Sequence, residues 1–82
     1  MPTYLLRIKL PDRPGALGAV ASRIGAVGGD ITGVDIVARG DETAVDEFVI
    51  ELASPNLVNL LLTEIHEVDG VAVDEIRPLE AE

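Results

Sequence analysis

The apolar residues of this chain change their spacing each time a proline or glycine interrupts them, and no other feature restricts its possible folds as much. From Thr3 to Leu10, Tyr4, Leu6, Ile8 and Leu10 fall on one side of an extended backbone and Leu5, Arg7 and Lys9 on the other, the two-residue repeat of a half-buried strand. Pro11-Asp12-Arg13-Pro14-Gly15 breaks that repeat, because proline withdraws a ladder donor and fixes φ, while Asp12 can accept amide hydrogen bonds at a helix start. Leu17, Val20, Ala21, Ile24 and Val27 then recur at helical spacing, with Ser22, Arg23 and Gly25 off the stripe. Gly28-Gly29 ends the helix, since glycine adopts left-handed geometry without steric cost.

The second half repeats the alternation. Ile31 to Arg39 is rich in β-branched residues and predicts a second strand, joined by Gly40-Asp41-Glu42-Thr43 to a third over Ala44–Leu52. That strand places Phe48, Ile50 and Leu52 on one face and Glu47, Val49 and Glu51 on the other. Ser54-Pro55 provides a cap and a proline at the first helical position, so a second helix is expected to about Glu67, with Val58, Leu61, Leu62 and Ile65 inward. Asp69-Gly70 closes it, and Val71 to Arg77 is the fourth strand.

An 82-residue chain has room for one hydrophobic core. Two helices must therefore cover the same apolar face of one sheet, which is the split βαβ, ferredoxin-like arrangement of the α+β class. Right-handed crossovers put strands one and three in the centre, giving a four-stranded antiparallel sheet of order 2-3-1-4 with both helices on one face. A single domain over 1–82 is expected, with its core at about 3–77 and a short acidic tail over 78–82. Arg7 and Lys9 would then lie on the open face beside Glu47 and Glu51, as surface charges worth at most ~1 kcal/mol per pair.

Several functions lack their parts. His66 is the single histidine and there is no cysteine, so neither a disulfide framework nor a thiolate site is available, and the few hydroxyls sit near no evident base. No enzyme activity, metal or cofactor is expected: Glu64, His66, Glu67 and Asp69 read as the solvated side of a helix, and the glycine clusters match no phosphate-loop spacing. A net charge of −9 repels phosphate backbones and anionic lipid heads, and only Tyr4 and Phe48 are aromatic, so nucleic acid and membrane are not expected partners. Charges at Arg7 and Lys9 break the only candidate signal core, no run approaches a membrane span, and the expected compartment is the cytoplasm.

The turn into the first helix is the segment with binding chemistry. Free amides at a helix N-terminus favour an anionic group such as a carboxylate, and Gly15 lets a ligand approach the backbone closely. Leu10-Pro11-Asp12-Arg13-Pro14-Gly15-Ala16-Leu17, with Val20, Ile24 and Gly28-Gly29-Asp30-Ile31, resembles the signature of ACT domains: a D/N-x-P-G-x-L turn, an amphipathic helix and a G-x-N-I start to the second strand. The βαββαβ order fits over nearly the whole chain.

That resemblance implies a regulatory module that binds an amino acid where the first loop and helix of one copy meet a neighbouring copy, here as a free-standing domain or a subunit acting on an enzyme of amino-acid metabolism. The ligand positions it carries over are Asp12 and Gly15 in the turn and Asp30 at the second strand, with Arg13, Pro14, Ala16, Leu17 and Ile31 adjacent. Family members often have asparagine where Asp30 stands, and two carboxylates facing one small site favour an ammonium and oppose a carboxylate. A homodimer is expected, because a core from so short a chain is marginal and both edge strands offer unpaired backbone. The alternative is an oligomerisation or interaction module that pairs with itself or a metabolic enzyme and binds no ligand.

Overall fold

A computed structural model describes residues 1–79. The elements run β1 (Thr3–Pro11), α1 (Ala16–Ala26), β2 (Asp30–Arg39), β3 (Thr43–Glu51), a 3-10 turn (Pro55–Leu57), α2 (Val58–Ile65) and β4 (Ala72–Leu79). They form one four-stranded sheet of order β2-β3-β1-β4 in which every neighbouring pair is antiparallel. This is the expected ferredoxin-like topology.

Alternation along the two central strands builds the core. The β1–β3 register sets Tyr4 opposite Ile50, Leu6 opposite Phe48 and Leu10 opposite Ala44, all buried. Val20 and Ile24 of α1 and Leu61 and Ile65 of α2 close over them in one cluster with Phe48 and Leu52. On the open face, Arg7 Nε donates to Glu47 Oε2 at 2.8 Å, across the register that pairs these residues. Lys9 and Glu51 stand opposite Val45 and Thr3 and form no such pair with each other.

Three local features depart from the sequence expectation. The inward stripe of α1 begins one residue earlier: Ala16 is buried and Leu17 is 40% exposed, because Ala16, Val20 and Ile24 at four-residue spacing face the sheet. Asp12 does not cap α1. The capping position is Gly15 at φ +87°, no side chain caps the helix, and the Asp12 carboxylate is held elsewhere. β4 continues through Pro78 and Leu79, opposite Tyr4 and Thr3, where the acidic tail was expected to start; 80–82 lie outside the described residues.

Gly29 tightens the link from α1 to β2. Its amide donates to Ile24 O at 3.0 Å, and a Cβ there would meet Ile24 Cγ2 at 2.7 Å and the same carbonyl at 3.0 Å. Gly29→Ala is therefore expected to destabilise by about 1–3 kcal/mol, the usual range for overpacking a tight site. Urea denaturation checks it, and an unchanged midpoint would show that the α1 end relaxes freely.

The helices do not reach the far side of β2. Val34 and Ile36 pair across to Phe48 and Asp46 on the core side of the sheet, yet they are 45% and 58% exposed. Val37, at one of two register shifts in this strand, is exposed as well. An edge strand with an uncovered apolar strip results.

Candidate functional site

The strand order brings three chain segments together at one end of the sheet. β1 and β2 run in the same direction because both are antiparallel to β3, so the β1–α1 turn, the end of β2 and the start of β3 meet. Asp12 N–H donates to Glu42 O at 2.9 Å, fastening the turn to the β2–β3 hairpin. Between these segments lies a hollow of about 150 Å³ lined by Leu10, Asp12, Arg13, Leu17, Arg39 and Asp46, with Pro11, Ile36 and Ala44 completing the wall.

Its lip and floor differ in wetting. At the lip, Arg39 Nη2 donates to both oxygens of Asp12, at 3.1 and 3.0 Å, and both side chains contact solvent. At the floor, Asp46 is only 3% exposed, flanked by Ile8 on β1 and Ile36 on β2. Its Oδ1 is sealed from solvent and accepts no hydrogen bond, the one such buried side-chain atom among the described residues. Burial pushes the Asp46 carboxyl above the usual carboxylate range, the Asp12 charge adds to that, and Arg39 opposes it.

At α1 the backbone is incompletely satisfied. Ala16 N–H reaches Arg13 O at 3.3 Å and Ala19 N–H reaches Gly15 O at 2.9 Å, with no side chain supplying a cap. The uncapped start therefore keeps donors and the positive end of the helix dipole close to the hollow.

Of the residues expected to form a site, Asp12, Arg13 and Leu17 line the hollow, and exposed Pro14, Gly15 and buried Ala16 connect them to α1. Asp30 and Ile31 are not among them. Asp30 pairs with Glu51 at the opposite end of β2, about 30 Å from Arg39 at ~3.3 Å per residue. Asp46 and Arg39 were not anticipated. The signal for Asp46 is parity: counting back by twos from Leu52, Ile50 and Phe48 puts a carboxylate on the core face.

A larger hollow, about 450 Å³, opens between the helices and is lined by Ala19, Ser22, Arg23, Ala26, Glu67 and Val68. Arg23 is already paired with Glu64 at 3.2 Å, and this hollow holds no sealed polar group. His66 sits exposed at the end of α2. No helix among the described residues is long and apolar enough to cross a membrane.

Comparison with known proteins bears on this geometry. The family model of the ACT domain matches residues 4–70. Among solved structures, the ACT domain from GTP pyrophosphokinase of Chlorobium tepidum superposes with a TM-score of 0.71 at 18% identity, covering 96% of this chain and 100% of that one. A homoserine dehydrogenase from Thiobacillus denitrificans matches with a TM-score of 0.73 at 18% identity over 95% of this chain, which spans 17% of the enzyme. An uncharacterised protein from Thermotoga maritima matches at 0.69 and 23% identity, over 95% of this chain and 96% of that chain. No curated protein sequence matches.

Proposed function

This chain belongs to the ACT-domain family, generally a regulatory small-molecule-binding module, and from that premise we propose that it senses a small amino acid in the hollow beneath the β1–α1 turn, at a contact between two copies of itself. The observation that carries this reading is the convergence of both charge signs on a small, partly apolar hollow beside an uncapped helix start. A zwitterion needs both signs within a few ångströms. Arg13 and the first amides of α1 suit its carboxylate, and the carboxylates of the site suit its ammonium.

Two copies are part of the proposal because one copy does not bring Asp30 to the hollow. β2 is an unpaired edge, and a two-fold axis across it would pair it antiparallel with its own copy. Asp30 and Ile31 of the second copy would then lie beside Arg39 and the β1–α1 turn. The exposed strip of Val34, Ile36 and Val37 would be covered by the same contact. The family relationship and the placement of ACT domains on proteins such as a homoserine dehydrogenase support a role in regulating a metabolic enzyme.

Light scattering after gel filtration is expected to give twice the chain mass at tens of micromolar. Ile36→Asp, at an exposed edge position, should halve that mass while circular dichroism stays unchanged. A thermal-shift screen of the common amino acids should raise the melting temperature of the wild type for at least one small member, since a ligand specific to the native state stabilises it by mass action. A monomeric wild type defeats the paired site. The exposed apolar strip also favours the second reading, an interaction module, and a dimer with no thermal response to any amino acid would select it.

A further inference from the structure

We propose that Asp46 is the ammonium-binding residue of this hollow, taking the primary amine of a small ligand onto its carboxylate. The assignment rests on the small-molecule-binding reading above and deepens it. Both carboxylates facing the hollow are candidates, but they are not equivalent. Asp12 already accepts both of its hydrogen bonds from Arg39 at the lip. Asp46 Oδ1 has no donor at all, although a sealed carboxylate oxygen is costly to leave unmet.

The surroundings specify what that donor can be. Ile8 and Ile36 flank Asp46 across the sheet, Leu10, Leu17 and Ala44 complete an apolar wall, and Arg39 is engaged with Asp12 at the lip. A compact alkylammonium carries three donors for such an acceptor. At ~30 Å³ per water, the hollow has room for about five non-hydrogen atoms. That size admits an alkylammonium or a small α-amino acid. An amino acid seated this way would direct its carboxylate outward to Arg13, Arg39 and the start of α1. Burial raises the Asp46 carboxyl above its ordinary range, and an ammonium beside it would lower it again.

The test uses ethylammonium, propionate and L-alanine as probes on the full chain, followed by chemical-shift titration and calorimetry at neutral pH. Ethylammonium and alanine are expected to perturb the Asp46 side chain and the amides around it, and propionate is not. Asp46→Asn should weaken both positive titrations tenfold or more, because a charge-assisted hydrogen bond loses its charge, whereas Asp12→Asn should weaken them far less. Asp46→Ser provides a second variant if the first fails to fold. Alanine bound equally by wild type and Asp46→Asn would overturn the assignment and leave the sensor reading standing. Ethylammonium bound through Asp46 with no amino acid bound would do the reverse. Silence of all three probes at millimolar concentration overturns both.

Discussion

Phe48→Ala is expected to destabilise the protein by about 3–5 kcal/mol, the range for truncating a buried aromatic. Phe48 lies on β3, one of the two central strands, is 1% exposed and is among the largest fully buried side chains. It stands between Leu6 on β1 and Val34 on β2, within the cluster that both helices cover. Small domains have only about 5–15 kcal/mol of total stability, so the loss is a large share of it. The melting temperature should fall by on the order of 20 °C, at ~4–8 °C per kcal/mol for a domain of this size. Val34→Ala, across the same pairing but half exposed, should cost far less. Parallel calorimetric scans check both, and equal effects would mean that β2 is covered as fully as the centre of the sheet.

Asp46→Asn is expected to do the opposite: to stabilise the unliganded protein at neutral pH, because the amide removes a charge that burial disfavours while keeping the side chain's shape. The effect has a pH signature. The folded-state carboxyl titrates above its ordinary value of 3.8 because burial, aided by Asp12 and opposed by Arg39, disfavours its charge. Below that ordinary value, folded and unfolded chains both carry the proton and the carboxylate costs nothing. As pH rises, the unfolded chain releases the proton first, so the wild type loses stability until the folded group has ionised as well. The gap between variant and wild type should be small near pH 3.5 and widen above it. Urea denaturation from pH 3.5 to 7.5 measures it, and a gap that is constant with pH would show that Asp46 does not titrate abnormally. Arg13, also lining the hollow, is common to both proteins and cancels from the comparison.

An Asp46 that binds an amine and whose replacement stabilises the empty protein would be a residue whose presence weakens the empty fold. A structural role would predict the reverse sign. A site that is costly to the empty fold and is repaid on binding is a common relation between function and stability.

The fold was legible because period and punctuation agree along the whole chain. Tyr4, Leu6, Ile8 and Leu10 alternate without error, and Gly28-Gly29 and Asp69-Gly70 mark the turns, so element order and the rule of right-handed crossovers determined the sheet. Finer detail depended on contacts that periodicity does not encode. Ala16 and Leu17 are both apolar, and only packing against β1 and β2 decides that the smaller one faces inward. Asp12 has the composition of a helix cap, but the strand order delivers Arg39 to it across 27 residues of sequence, and the ion pair takes it away from the helix. Asp46 was readable in principle from strand parity. Its significance was not, because nothing local shows that Arg39 is engaged at the lip and leaves the floor without a partner. Asp30 illustrates the converse limit, since a motif can name residues that one copy of the chain holds at opposite ends of a strand.

The two edges of the sheet differ, and the difference governs where growth by strand addition stops. β2 presents Val34, Ile36 and Val37 to solvent. β4 presents Asp74 at a register irregularity, Glu75 paired with Arg77 at 3.1 Å, and Pro78, which has no amide to give. Charge, irregularity and proline are the devices that make a strand a poor template for another. A sheet with one receptive margin and one blunted margin can accept a single neighbour and then has nothing left to offer. Such a molecule terminates its own polymerisation, so raising its concentration should saturate one contact without seeding ribbons or fibrils, even where salt screens the repulsion between chains that each carry a charge of −9.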